Sequence, residues 1–334
     1  SYARNMLTIL TIIFAAIVVW RLLKGDIKGA LATCLIAIII VWLLGCQPET
    51  VSSPPVGTTT STTVVVPTTV KPTTTIANTT TLPSNACDIF SSSADDSAQL
   101  ISLSKICSLI NINTPLIINN EVKITANNLT INFLNSGKLM RSKPAPDYSG
   151  LSILFFDQSN DITINNLQIE GPNTPKIYSQ GGRAVCGFFQ PLYNQHGLKI
   201  TNSNNITING GLIKNINGDG IYLDRGADNV TLNNVNVNCV GRTALTNLGS
   251  IHTRVNGGRF EEAVWWIFNV ELEGRNVTDY ILTNPYVGWS RLNYMIAQCP
   301  YGGKFDITIN QPIFSTEAYQ PYSGDRTCGS VVIK

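Results

Sequence analysis

Acidic and basic side chains recur along the second half of this 334-residue chain, at intervals that a repeating fold could bring together. In sequence order these residues are Asp219, Asp224, Arg225, Arg242, Glu262 and Arg291. Carboxylates accept hydrogen bonds from hydroxyl groups or bind cations, and guanidinium groups donate in several directions. These side chains can act together only if successive structural repeats place them in one column.

A five-residue phrase that recurs from residue 85 onward predicts such repeats. It consists of a polar turn residue, an apolar–Thr–apolar triplet and Asn. The clear copies begin at Asn128, Asp161, Asn205, Asn229 and Asp306, with weaker echoes at 250–256 and 276–280. The alternation indicates strands with one buried face, and the shortest steps, 21 and 24 residues, fit one three-strand turn of a β-solenoid of about ten turns. An antiparallel sandwich or barrel is the alternative.

The phrase resembles the repeats of right-handed parallel β-helices in the pectate-lyase-like superfamily, over about residues 118–330. The resemblance implies an all-β fold, a right-handed parallel β-helix over residues 118–334. Residues 85–117, with a helix near residues 94–103, are expected to form its N-terminal cap. Asn and Asp at equivalent corners should form side-chain ladders and adopt left-handed backbone.

Residues 1–48 are predicted to be a membrane anchor. Two apolar segments, 6–20 and 29–48, are uncharged, and the basic connector between them favours a hairpin with both ends outside. Alternatively, Leu43 to Cys46 resembles a lipobox, in which case Cys46 is lipidated. Either interpretation places the membrane contact within residues 6–45 and exports the body to the periplasm or cell surface. Residues 49–84, rich in Thr and Pro, are expected to be a disordered stalk.

Six cysteines in the body permit up to three disulfides in an exported protein. The expected local pairs are Cys87 with Cys107 and Cys299 with Cys328. The net charge is only +2 and the charged fraction 13%, so a nucleic-acid role has no support.

The resemblance also implies two kinds of chemistry. Asn217-Gly-Asp-Gly is similar to the phrase that opens the acidic set of polygalacturonases, but the aspartate pair expected one turn later is absent. A carboxylate alone cannot supply both acid and base, so that hydrolysis is not supported. Lyases of the superfamily use a basic residue to remove a proton and a cation such as Ca²⁺ to hold the uronate.

For a lyase mechanism, Arg242 is the candidate base, and Asp219 with Glu262 would bind the cation or orient sugar hydroxyls. Four residues would contact the substrate: Asp224, Arg225, Trp265 and Arg291. The alternative is that these charges are salt-bridged neighbours on adjacent strands.

The function predicted from the sequence is that of a membrane-anchored surface protein directed at a polysaccharide or surface glycan. Whether it cleaves its ligand, as a polysaccharide lyase or glycoside hydrolase, is left open. The alternatives are a non-catalytic adhesin and a structural component of a cell envelope or virion, and a homo-oligomer is compatible with each.

Overall fold

The computed structural model describes residues 85–334, apart from 92–93, 145–150, 174, 178–183, 188–191, 293, 317–322 and 325–326. All of them belong to the second of two compact units, Asn78–Lys334. The predicted anchor with Cys46 and the predicted stalk lie outside the described residues. Within the described part of the chain, no helix is long and apolar enough to span a bilayer.

Short strands account for nearly all of the regular structure, and the described residues contain one helix, α1 (Ser97–Ser104). The strands are β1 (Ala86–Ile89), β2 (Leu109–Ile112), β3 (Pro115–Ile117), β4 (Val122–Ile124), β5 (Asn127–Phe133), β6 (Lys138–Met140), β7 (Leu154–Asp157), β8 (Asn160–Glu170), β9 (Pro175–Ile177), β10 (Ala184–Cys186), β11 (Leu198–Thr201), β12 (Ser203–Ile216), β13 (Ile221–Leu223), β14 (Ala227–Val240), β15 (Leu245–Asn247), β16 (Arg254–Asn256), β17 (Arg259–Ala263), β18 (Phe268–Glu271), β19 (Val277–Thr283), β20 (Tyr286–Val287), β21 (Met295–Gln298), β22 (Phe305–Asn310), β23 (Ile313–Phe314), β24 (Ser323–Gly324) and β25 (Gly329–Ile333).

The strands stack in parallel into three faces. The first face follows the order β1-β2-β5-β8-β12-β14-β16-β19-β22-β25, and ten successive strands define nine complete turns. The second face begins with β3 and β6, continues in the later halves of β8, β12 and β14, and ends with β17, β20 and β23. The third face runs from β4 through β7, β11, β13, β15, β18 and β21 to β24. The predicted all-β parallel β-helix is confirmed.

The interior of the solenoid is a continuous apolar column. Equivalent positions of successive first-face strands hold Ile131, Ile164, Ile208, Leu232 and Val255, all of them buried. Because side chains alternate across a strand, every second residue of the repeated phrase points inward. No single turn could bury these residues alone, so stacking supplies the core.

An asparagine ladder runs along the outside of the first face. Each Asn Nδ2 donates to the Oδ1 of the preceding turn, at distances from 2.8 to 3.0 Å. The ladder consists of Asp88, Asn111, Asn132, Asn165, Asn209, Asn233 and Asn256. The steps contain 23, 21, 33, 44, 24 and 23 residues, so the long ones are turns that carry insertions.

Four of the five corner residues that begin the clear copies adopt left-handed backbone, as expected, and Asp306 does not. Asn128, Asp161, Asn205 and Asn229 have φ between 52° and 58°. The weaker echo at 276–280 is out of register, because Thr283, and not a residue of that echo, pairs with Asn256 and Asn310.

Disulfides connect the turns at three levels. Cys87 pairs with Cys107 and Cys299 with Cys328, which confirms both expected bridges. The third, Cys186–Cys239, fastens the long insertion of the 44-residue turn to β14. The predicted helix is present as α1, and the Asp95 carboxylate accepts a hydrogen bond from the Ser97 N–H at 3.1 Å.

Candidate functional site

The corner between the second and third faces gathers the polar residues of three successive turns. It is formed by the residues that precede β11, β13 and β15, and backbone hydrogen bonds keep it in register. The Gly197 N–H donates to the Asp219 carbonyl at 2.9 Å, and the Gly220 N–H to the Thr243 carbonyl at 2.9 Å. His196, Asp219 and Thr243 therefore occupy equivalent positions of adjacent turns.

Asp219 and Arg242, two of the predicted site residues, form an ion pair at this corner. Arg242 Nε lies 3.1 Å from Asp219 Oδ1, and the side chains are 10% and 0% exposed. The same Oδ1 accepts a hydrogen bond from the Thr243 N–H at 3.0 Å. The contact between the Arg242 guanidinium and Asp219 is an attraction of opposite charges without an aligned hydrogen bond. The other carboxylate oxygen, Asp219 Oδ2, has no hydrogen-bond partner. Burial raises the pKa of Asp219 to about 6, although Arg242 acts in the opposite direction.

His196 lies in the insertion of the 44-residue turn and contacts Asp219. Its Nδ1 accepts a hydrogen bond from the Asp219 N–H at 3.2 Å, and its ring stacks on Tyr222 with centroids 4.2 Å apart. Burial holds the pKa of His196 well below its usual range, and the positive charge of Arg242 adds to this. The imidazole is therefore neutral, so the 3.7 Å approach of Nδ1 to Asp219 Oδ2 is not an ion pair.

Aromatic rings flank the Arg242 guanidinium. Its Cζ lies 5.7 Å from the ring centroid of Tyr193 and 5.5 Å from that of Trp265. Cation–π contacts of this kind hold a guanidinium in place. The charge of Arg242, its burial and its packing between the two rings therefore hold its guanidinium beside Asp219.

The remaining predicted residues do not join the pair. Asp224 forms an ion pair with Lys199 at 3.1 Å, and Arg225 one with Glu273 at 2.5 Å, both on the third face. Glu262 lies near the end of β17, on the second-face side of the corner. Its backbone is left-handed, with φ 57°. Arg291 is exposed two turns beyond Arg242.

The tryptophan pair departs from the strand rule. Alternation along a strand would place Trp265 and Trp266 on opposite faces, with at most one of them in the core. Both residues instead lie in the corner between β17 and β18, where alternation does not apply. They are half-buried and their rings meet edge to face, 5.4 Å apart.

A second site lies open on the outside of the second face. This second-face cleft has a volume of about 390 Å³ and is lined by Arg259, Glu261, Tyr286, Trp289, Phe314, Ser315 and Thr316. The Arg259 guanidinium lies 3.9 Å from the centroid of the Tyr286 ring, and its Nε donates to Glu261 at 2.6 Å. The cleft thus combines aromatic surface with a fixed charge pair.

Sequence reasoning did not single out Arg259, Tyr286 or His196. Arg259 and Tyr286 are neighbours across β17 and β20, which only the strand register reveals. His196 lies 23 residues before Asp219, inside an insertion without a repeat signal. No group of three or more metal-ligating side chains occurs among the described residues, and Ca²⁺ stays a prediction.

Comparisons with known proteins give likenesses of shape alone. No family model matches the sequence, and no curated protein matches it. The catalytic unit of a thermostable α-1,3-glucanase from Streptomyces thermodiastaticus is 9% identical, with a TM-score of 0.33 over 75% of this chain and 68% of that one. The A-module of a mannuronan C-5 epimerase from Azotobacter vinelandii is 10% identical, with a TM-score of 0.29 over 74% and 95%. Such low scores carry no argument about activity, so strand pairing alone defines this chain as a parallel β-helix protein.

Proposed function

We propose that the protein is a carbohydrate-directed β-helix that binds a polysaccharide or surface glycan in the second-face cleft. The observation that carries the proposal is the exposed aromatic surface of the cleft beside the Arg259–Glu261 pair. Aromatic faces stack on the apolar faces of sugar rings, while charged groups fix the hydroxyls.

The charge pair is well placed for hydroxyl recognition. Arg259 is held by Glu261 at 2.6 Å and by the ring of Tyr286, so its free N–H groups have a defined direction. Asn238 donates to Glu261 at 3.2 Å and holds the carboxylate in turn. A ligand that meets such pre-ordered groups loses less entropy on binding.

The cleft favours binding over cleavage. Among its described lining residues, Glu261 is the single carboxylate, and Arg259 neutralises it. Glycosidic hydrolysis by the common mechanism requires two carboxyl groups with separate roles. We therefore favour an adhesin-like role for this cleft.

We place the binding domain outside the cytoplasm. Three disulfides in one body are typical of an oxidising compartment, the periplasm or the cell surface. Attachment to the membrane through residues 6–45, or through a lipid on Cys46, belongs to the same proposal.

Retention of the full chain on a panel of immobilised acidic and neutral polysaccharides tests the cleft. Tyr286→Ala should weaken retention about tenfold, since one aromatic stacking contact contributes about 1.4 kcal/mol. Tyr286→Phe keeps the ring and should retain most of the binding.

Tyr301→Ala is the matched control, because Tyr301 is 75% exposed and is not among the residues that line the cleft. If no polysaccharide retains the wild-type chain, or if Tyr286→Ala and Tyr301→Ala weaken it equally, the proposal is wrong.

A further inference from the structure

The apolar interior of the solenoid is uncovered at the end formed by β25. In this last first-face strand, Val331 and Ile333 continue the inner columns of the core, because they pair with two buried isoleucines of β22. Ile333 is nevertheless 49% exposed, whereas Ile89, the inner residue of the first strand β1, is fully buried. Helix α1 lies at that N-terminal end, and its Leu100 belongs to the same buried core. The core is therefore covered at one end of the solenoid and open at the other.

Exposed apolar side chains are concentrated at the uncovered end. Of the ten large apolar side chains that are exposed in the described structure, four belong to β23 and β25. They are Ile313, Phe314, Val332 and Ile333, with exposed fractions from 40% to 56%. We call this surface, formed by β23 and β25, the open end. A concentration of exposed apolar surface marks a place of contact with another surface.

Strand β25 also presents an unpaired edge. It pairs with β22 on one side, and no strand among the described residues pairs with its other side. Such an edge offers backbone N–H and C=O groups that can bond to a further strand. Proteins usually protect an edge with charged side chains or proline, but β25 contains neither, and Lys334 is the first charged residue after it.

A second copy of the same edge fits this geometry. When two β25 strands pair antiparallel about a two-fold axis, residues that lie opposite each other point to the same side of the sheet. The two apolar interiors then meet only if inner residues lie opposite inner residues. Registers centred on Val331 or on Val332 satisfy this condition, and the second places Val331 opposite Ile333 of the other copy.

Charge complementarity selects the register centred on Val332. In this register Lys334 of one copy lies opposite Ser330 of the other. The Ser330 hydroxyl donates to the Asp306 carboxylate at 3.3 Å, so the lysine comes within reach of a carboxylate. In the register centred on Val331, Lys334 lies instead opposite Cys328, a disulfide residue that offers no charge. The two-fold axis repeats the favourable contact and keeps the two lysines at opposite ends of the paired segment.

We propose that the protein forms a two-fold dimer through its open end, by antiparallel pairing of two β25 strands with Val332 on the axis and Lys334 beside Asp306 of the second copy. The contact is closed, because both copies use the same edge, and it does not continue into a fibre. This inference goes beyond the proposed carbohydrate function, and the three named residues do not line the second-face cleft.

Sedimentation velocity of the full chain in a mild detergent tests the dimer. A contact of one strand pair with a few apolar side chains is small, so the shift from monomer to dimer should fall between about 1 and about 100 µM protein. Val332→Lys places two like charges on the axis and should weaken association by at least about tenfold. Thr207→Lys is the matched control, because Thr207 lies in the same outward column of the first face, five strands away, and this variant should associate like the wild type.

Further variants test the register. Lys334→Glu should weaken association, and the addition of Asp306→Lys should restore it, because the double change re-forms the contact with opposite polarity. Val332→Cys should give a covalent dimer on mild oxidation, since opposite residues of an antiparallel pair lie within the Cα separation that a disulfide spans. Thr207→Cys should not.

A wild-type chain that is monomeric at every concentration would overturn the proposal. If Val332→Cys also resists alkylation in that monomer, a segment of the same chain covers the open end instead. Equal association of Val332→Lys and Thr207→Lys, with unchanged melting temperatures showing that both are folded, would overturn the proposal as well. So would a failure of Asp306→Lys to restore the association that Lys334→Glu removes.

Discussion

Replacement of Arg242 by methionine should destabilise the β-helix in a way that depends on pH. The substitution keeps most of the side-chain volume between Tyr193 and Trp265 but removes the charge opposite Asp219. At pH 7.5 it leaves an uncompensated carboxylate in a fully buried position. Removal of one partner from a buried pair costs about 3–5 kcal/mol.

The sign of the pH dependence follows from the pKa of Asp219. Burial raises this pKa from 3.8 to about 6 in the folded protein. The native state therefore holds the proton more tightly than the unfolded chain, and the stability that this proton contributes is lost as the pH rises from about 4 through 6. The difference amounts to about 3 kcal/mol. Without Arg242 the pKa rises further, so at pH 5 Asp219 is protonated and the cost of Arg242→Met should fall to about 1–2 kcal/mol.

Urea unfolding of the full chain at pH 5 and pH 7.5, followed by tryptophan fluorescence, measures both costs. The double variant Asp219→Asn with Arg242→Met should recover much of the loss at pH 7.5. Arg259→Met is the control, because the Arg259–Glu261 pair is half-exposed on the arginine side and should contribute less than about 1 kcal/mol at either pH. An equal cost of Arg242→Met at the two pH values, with no recovery in the double variant, would refute the assignment of a charged Asp219–Arg242 pair.

Three further predictions concern the scaffold. Asn165→Ala removes two ladder bonds and should cost about 1–2 kcal/mol, about twice the cost of Asn256→Ala at the end of the ladder, as measured by unfolding midpoints. Loss of the Cys186–Cys239 bridge, which spans 53 residues, should destabilise by about 4 kcal/mol, and a double serine variant with an unchanged melting temperature would contradict this. Tyr280→Phe should be neutral or stabilise by up to about 1 kcal/mol, because it removes a buried hydroxyl without a partner, and a clear loss in a thermal melt would show that the hydroxyl is bonded.

The repeated phrase was sufficient to predict the first face. The Asn that ends each clear copy up to Asn233 occupies the ladder, and the corner residue that begins it adopts left-handed backbone. Both outcomes follow from local chemistry, since Asn tolerates that backbone and an amide can donate and accept at once. The disulfides at the two ends of the solenoid, Cys87–Cys107 and Cys299–Cys328, could also be predicted, because each joins cysteines that are close in sequence.

Sequence reasoning was weaker where side chains meet through insertions or through the second and third faces. The echo at 276–280 carries the right residue types, yet an irregularity of β19 between Val277 and Tyr280 shifts the register. His196 belongs to a 44-residue turn whose insertion has no periodicity. Thr246, whose hydroxyl lies close to the Asp219 carboxyl, belongs to no sequence motif.

Register at a corner decides which charged residues can act together. Matching positions were expected to form one column, but Asp219 is level with Thr243, and Arg242 is level with Gly218, one place earlier. That diagonal offset is short enough for the long arginine side chain to reach Oδ1 at 3.1 Å. Glu262 lies beside Cys239 in the neighbouring strand, and both residues have left-handed backbone. Because Cys239 comes before Arg242 in the chain, Glu262 is not level with Arg242. Neighbouring strands lie about 4.8 Å apart along the axis of the solenoid. A displacement of one or two residues along the chain at a corner therefore separates two carboxylates by at least as much as a whole turn does. The pair that did form is therefore the one to test first. A charged guanidinium has no proton acceptor, so Arg242 could serve as the base of a lyase only after giving up its own proton.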